Sequence, residues 1–168
     1  KGVREYIDAA KIIKKKYANT CFQLLGPTGS ENRTAISLDE IKKWHDKKII
    51  EYLGETDKIV NFLNNATCIV LPSYREGTSR ALLEAAAVGR PIIATDVPGC
   101  REIIDDGKSG FLCKTRDPID LANKIEKMII LSHESRVIMG NKGRLKVQKE
   151  YNEEIVLDYF VDAINKTS

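Results

Sequence analysis

Two carboxylates eight positions apart, Glu76 and Glu84, stand in the part of the chain best equipped for chemistry. They bracket Gly77, Thr78 and Ser79, which lie where a helix begins. Backbone amides at a helix entrance, without bulky side chains over them, suit phosphate oxygens. On one ideal helix the two glutamates would be about 80° apart in rotation and ~12 Å apart along the axis. That is too far for an acid–base pair working on one bond. It fits a ligand lying lengthwise, touched by one carboxylate at each end. A purely structural account also stands: Glu76 as an acid favoured by the helix dipole, Glu84 as a paired or half-exposed helix residue, and Gly77–Ser79 as plain capping. Spacing alone leaves both accounts open.

Other chemistries find less support. Gly107-Lys108-Ser109 resembles the tail of a phosphate loop, but that motif needs a glycine at position 102, where the chain has Glu102. A strand, not a helix, is expected after Ser109. The dinucleotide glycine fingerprint is missing, since Gly26 and Gly29 alone do not make it. Cys21, Cys68, Cys100 and Cys113 lack the paired spacing of a zinc site. Cys21, Cys68 and Cys113 fall in strand-like runs, where a free thiol is a small buried hydrophobe. His45 and His133 have no partner signal and read as surface residues; Trp44 reads as core. The pattern implies neither a metal nor a cofactor.

The elements that must position Glu76 and Glu84 alternate. Val3, Tyr6, Ala10, Ile13 and Tyr17 recur at helical spacing and predict an amphipathic helix over 2–17, with Lys14, Lys15 and Lys16 solvated at its end. Strands follow at 21–25, 48–53, 67–71, 91–95 and 110–113. Between them, Ser37 with Glu40 makes a capping box, and Leu38, Ile41 and Trp44 form that helix's inner face. Thr56 caps a helix carrying Ile59, Val60 and Leu63. Pro72 ends the 67–71 strand, since it cannot donate to a ladder; the polar loop after it includes Ser73. The Ala- and Leu-rich run halts at Gly89. Asp96 to Gly99 is a turn, and a short helix holds Glu102, Ile103 and Ile104. Asp117-Pro118 opens a helix with Leu121, Ile125, Met128 and Ile129 inward. The remainder is helical, with Val137, Ile138, Leu145 and Tyr151, then Ile155, Tyr159, Phe160 and Ile164, as its apolar positions.

This alternation predicts an α/β fold: a Rossmann-like, doubly wound parallel sheet with helices on both faces and a helical C-terminus. Because the chain opens on a helix, the first strand of such a unit is expected upstream. The 168 residues suit a single domain, 42% hydrophobic and 30% charged, as in ordinary globular proteins. A net charge of +3 is too small for a nucleic-acid surface. No apolar run reaches the ~20 residues of a membrane span, and a cytoplasmic setting is expected.

With these residues in hand, the chain resembles the C-terminal, donor-binding domain of group-one, retaining, nucleotide-sugar glycosyltransferases of the GT-B fold. The family's Glu-x7-Glu signature is Glu76-Gly-Thr-Ser-Arg-Ala-Leu-Leu-Glu84, followed by Ala85 to Pro91. Lys1-Gly2-Val3 is similar to the family's Lys-Gly, Tyr52-Leu53-Gly54 to its hydrophobic-Gly turn, and Asp106 to Leu112 to its late turn and strand. Bacterial enzymes building capsule, O-antigen or lipid-linked glycans look most alike.

The resemblance implies roles. Glu76 would hold donor-sugar hydroxyls, and Lys1 would neutralise the diphosphate; these two are the catalytic candidates. Glu84 would accept from the ribose hydroxyls, the amides of Gly77, Thr78 and Ser79 would lie by sugar and diphosphate, Ser73 would join the donor contacts, and Leu53 and Gly54 would border the base. The donor would be a UDP-sugar. A glycan or lipid-linked acceptor would reach it through an N-terminal domain not in this chain, at the inner face of the membrane in the full-length enzyme. Thr78-Ser79 stands where the family often has Phe-Gly, which bears on the choice of sugar. Two readings compete: a GT-B-like nucleotide-sugar epimerase domain, against which the Glu-x7-Glu block counts, and a non-catalytic α/β binding module.

Overall fold

The computed structural model describes residues 1–28 and 36–151. Helix α1 (Val3–Lys16) leads through β1 (Gln23–Leu25) to α2 (Leu38–Asp46), β2 (Glu51–Gly54) and α3 (Ile59–Asn65). Strand β3 (Ile69–Leu71) precedes α4 (Arg80–Ala87), β4 (Ile92–Thr95), α5 (Pro98–Ile103) and β5 (Gly110–Cys113). Helices α6 (Pro118–Ile130) and α7 (His133–Glu150) close the described part. Gly29 and the apolar positions from Ile155 onward, named above, lie outside the described residues.

Among the described residues every strand pairing is parallel, and the α/β reading holds. The strands form two pieces, β1–β2 and β3–β4–β5. Among the described residues no strand joins β1 to β3. Strand β4 is the centre of the larger piece, with all four residues buried. Its alternation feeds two cores, because successive side chains leave opposite faces. Ile93 joins Phe111 and Cys113 in a cluster with Ile7, Ala10 and Ile13 of α1, Ile41 of α2 and Leu121, Ile125 and Met128 of α6. Ile92 and Ala94 join Leu63 of α3, Leu82, Ala85 and Ala86 of α4, Cys100 and Ile103 of α5 and Val147 of α7. Phe22 and Ile50, beside β1 and β2, belong to the first core, so both sheet pieces share it. Each fully buried Ile or Leu contributes ~1.5–3 kcal/mol of hydrophobic free energy.

Helix α1 relates the two pieces. Its first turn touches the loop after β3, where Tyr74 donates to Glu5. Near its far end Lys14 donates to the Lys48 carbonyl, just ahead of β2. Strand β2 therefore starts at the edge opposite the β3 loop and ends on the same edge as that loop.

Several local expectations shift. The Ser37 hydroxyl caps α2 by accepting the Glu40 amide at 3.2 Å, but the box is half closed: the Glu40 carboxylate pairs with Arg4 instead. Thr56 accepts from the Lys58 amide at 3.0 Å and so lies ahead of α3, whose N-cap is Lys58. Pro98 and Gly99 open α5 rather than ending a turn, as proline suits a first helical turn. Leu38, Val60 and Cys21 are exposed. On α7 the apolar positions Val137, Ile138 and Leu145 are exposed, whereas Met139, Gly140, Gly143 and Val147 are buried. Close backbone approach explains the swap: a Cβ on Gly140 would overlap the carbonyl oxygen of Gly89 and lie 2.7 Å from its carbon.

Candidate functional site

The loop 72–79 runs from the end of β3 to the start of α4. Helix α4 begins at Arg80, with Ser79 as its N-cap, so Glu76 precedes the helix and Glu84 sits within it. The ideal-helix arithmetic linking the two glutamates therefore does not apply to Glu76, whose place is set by what holds the loop. The helix stops as expected at Gly89, which has φ +71°.

The Glu76 carboxylate is 10% exposed and pairs with the Lys1 ammonium, which is 68% exposed. The partners are 75 positions apart in sequence. Burial opposes charging Glu76, but the Lys1 ammonium and the Ser73 hydroxyl outweigh it and hold the carboxyl below its ordinary range. Ser73 is fully buried. Ser73, expected among the donor contacts, is thus buried next to Glu76. Its Oγ makes no well-formed hydrogen bond, so the direct pair with Lys1 is the contact that fixes the carboxylate. The Ser73 carbonyl accepts from buried Thr95 at the end of β4. The Cys100 thiol, pushed up to about 11 by burial and by the nearby Glu76 charge, completes the floor.

Gly77 and Thr78 are exposed and Ser79 is buried. The Ser79 hydroxyl makes no capping bond, which leaves the α4 entrance without a side chain closing its amides. Glu84, one turn into α4, is bonded at 2.8 Å by Arg80 four residues earlier and is 27% exposed. Leu53 and Gly54 are half-buried at the end of β2, on the same edge. Gly54 has φ +76° and its carbonyl accepts from Gly26 at 2.8 Å. The structure thus brings Lys1, Glu76 and the α4 entrance into one group; Glu84 lies one turn into α4, and Leu53 and Gly54 lie at the end of β2 with no hydrogen bond to that group among the described residues.

Sequence reasoning missed a second tie between α1 and this loop. The Tyr74 hydroxyl donates to Glu5 at 2.6 Å, and that bond, more than burial, raises its pKa. The Arg116 guanidinium lies 4.9 Å from the Tyr74 ring centroid. Residues 69 positions apart leave no local signal. The Arg80 partner of Glu84 was missed as well, although its spacing of four residues is a local signal for such a pair.

An ammonium, a carboxylate and open helix amides on one strand-to-helix edge can balance phosphate charge and hold hydroxyls. The sequence model of the family described as "Glycosyl transferases group 1" matches residues 1–146. The chain belongs to the group 1 glycosyl transferases. Relatives in the family include the N,N'-diacetylbacillosaminyl-diphospho-undecaprenol alpha-1,3-N-acetylgalactosaminyltransferase of Campylobacter jejuni, 34% identical over 96% of this chain and 40% of that protein. The capsular polysaccharide biosynthesis glycosyltransferase CapM of Staphylococcus aureus is 31% identical over 93% of this chain and 40% of its own length. The chain thus spans 40% of each of these two relatives.

Among solved structures, the C-terminal domain of the group 1 glycosyl transferase LpcC from Francisella tularensis superimposes with a TM-score of 0.76 at 26% identity, covering 91% of this chain and 80% of that one. S. aureus TarM, at 24% identity, shares the fold with a TM-score of 0.83, covering 95% of this chain and 32% of that one. The fold is that of GT-B glycosyltransferases. No described helix is long and apolar enough to cross a membrane.

Proposed function

We propose that the chain is the donor-binding domain of a retaining glycosyltransferase that takes a sugar from a UDP-sugar and hands it to a glycan or lipid-linked acceptor. The observation that carries this reading is the Lys1–Glu76 pair at the mouth of the uncapped α4 entrance. A diphosphate seated at those amides would meet the Lys1 ammonium, where leaving-group charge develops. Glu76, freed in part from Lys1, would hold sugar hydroxyls. Glu84 would accept from the ribose, exchanging its Arg80 partner for hydroxyl donors, and Leu53 and Gly54 would border the base.

The split sheet and the 40% coverage of both relatives support a longer native protein. In it a parallel strand ahead of Lys1 would lie between β1 and β3, and an N-terminal domain would bring the acceptor, in contact with the cytoplasmic face of the membrane. The test is calorimetric titration with UDP, ADP and GDP and with their sugar forms, repeated in Glu84→Ala. UDP is expected to bind best. Glu84→Ala should lose roughly 1.5–3 kcal/mol of that affinity, the range for a hydrogen bond to a charged group. Failure to bind any nucleotide would instead support a non-catalytic module. The 168-residue chain alone is expected to transfer no sugar, and measurable transfer by it would overturn the two-domain part of the proposal.

A further inference from the structure

Two glycines outside the signature hold the loop that carries Glu76. A Cβ on Gly2, just ahead of α1, would overlap the Pro72 carbonyl oxygen and lie 2.8 Å from its carbon. A Cβ on Gly99, in the first turn of α5, would overlap the Gly77 carbonyl oxygen and lie 2.7 Å from that of Glu76. Both contacts are with backbone, which cannot swing aside as a long side chain would. Gly99 is itself buried, and the next residue, Cys100, is fully buried below Glu76. The α5 entrance therefore lies directly against the peptide that carries the acid. Gly77, on the other side of the same contact, has open space where its own Cβ would be. The crowding runs from Gly99 toward the loop and not the reverse.

We propose that Gly99 is a positioning residue for Glu76: the missing side chain lets the loop settle onto α5, where the carboxylate reaches Lys1 on one side and Ser73 below. This rests on the assignment of Glu76 to the donor sugar. A methyl at position 99 must push the Glu76–Gly77 peptide off α5, carrying the carboxylate away from both partners. The atoms nearest a Cβ on Gly99 belong to Gly77 and Glu76, whereas Glu84, at the nucleotide end of the site, rides on α4, which is anchored through Leu82, Ala85 and Ala86. Gly99→Ala thus separates sugar recognition from nucleotide recognition, which a general loss of folding would not do.

The test compares calorimetric affinities for UDP and for the tightest binder among UDP-glucose, UDP-galactose and their N-acetylated forms, in wild type, Glu76→Gln, Gly99→Ala and Gly140→Ala. Gly140 is a matched control, since its Cβ would overlap a carbonyl oxygen equally, away from the site. The expected result is that Gly99→Ala keeps the UDP affinity and loses the extra affinity due to the sugar, by roughly tenfold or more, as Glu76→Gln does. Gly140→Ala should keep that extra affinity even where it lowers the unfolding temperature. The pH midpoint of the sugar-dependent affinity should also rise in Gly99→Ala, as Glu76 leaves the groups that hold its pKa down. Should Gly99→Ala fail to fold, Thr95→Val removes the hydroxyl that holds the Ser73 carbonyl and should shift the same ratio and midpoint in the same direction. A loss in Glu76→Gln with none in Gly99→Ala or Thr95→Val overturns the positioning role alone. No loss in Glu76→Gln overturns the sugar assignment beneath it.

Discussion

Glu76 and Glu84 share a signature and a residue type, yet they are held in opposite ways. Glu76 sits in a loop and is fixed from a distance: by Lys1 from the head of α1, by Ser73 and Thr95 below, and by the close approach of Gly99. Glu84 sits in a helix and is held by a residue one turn away. The first depends on the assembled fold, the second on α4 alone. A ligand that parts Lys1 from Glu76 reorganises tertiary contacts, whereas one that displaces Arg80 from Glu84 rotates a side chain on the surface. The two ends of the site should therefore respond to different perturbations.

The largest effect should come from the core under α4. Leu82 is fully buried against β4 and α5 and lies between the two glutamates. Leu82→Ala should cost about 2–5 kcal/mol of stability, the transfer and cavity terms together. Urea unfolding measures it. Because Glu84 rides on α4 and Glu76 is tethered from α1 and α5, hydrogen exchange below the midpoint should quicken at 80–87 more than at 73–77. Equal quickening in both segments would mean that the loop is an extension of the helix and the contrast drawn above fails.

Acid gives the next effect. The Glu76 carboxyl titrates below its ordinary range, so the folded state binds its proton less readily than the unfolded chain does. The stability this adds is fully present above the ordinary carboxylate pKa. It is lost as the pH falls through that value and on through the lowered one. A carbon-detected NMR titration of the Glu76 carboxyl should show the low midpoint, and Lys1→Met should move it upward because the ammonium is a principal lowering influence. An unchanged midpoint in Lys1→Met would mean that the Lys1 side chain does not lower the Glu76 pKa.

This contrast also marks what the sequence could reveal. The α4 boundaries were legible because their causes are local: Ser79 precedes the Ala-rich run, and Gly89 takes a left-handed φ that stops it. The Asp117 cap of α6 was legible likewise, its carboxylate accepting the Ile119 and Asp120 amides. What stayed hidden depends on the approach of distant segments. The inner face of α7 is built from Gly140 and Gly143 rather than Leu145, since a short distance to α4 is worth more there than a large side chain. Nothing near Tyr74 announces Glu5, and nothing near Glu76 announces Gly99. Glu76 and Glu84 could be singled out as candidates from their types and spacing, but the scaffold that holds Glu76 could not be read that way.

The smallest effect tests the helical end. Arg80 is 92% exposed, and its pair with Glu84 places the cation N-terminal to the acid, the weaker order for such pairs. Arg80→Ala should therefore change stability by no more than about 0.5 kcal/mol, as exposed pairs of this spacing do. If Arg80 only occupies the carboxylate until ribose hydroxyls replace it, UDP affinity in Arg80→Ala should equal or slightly exceed that of wild type. Equality in stability combined with a tenfold loss of UDP affinity would instead make Arg80 a ligand contact, and Glu84 would then depend on a partner as Glu76 does.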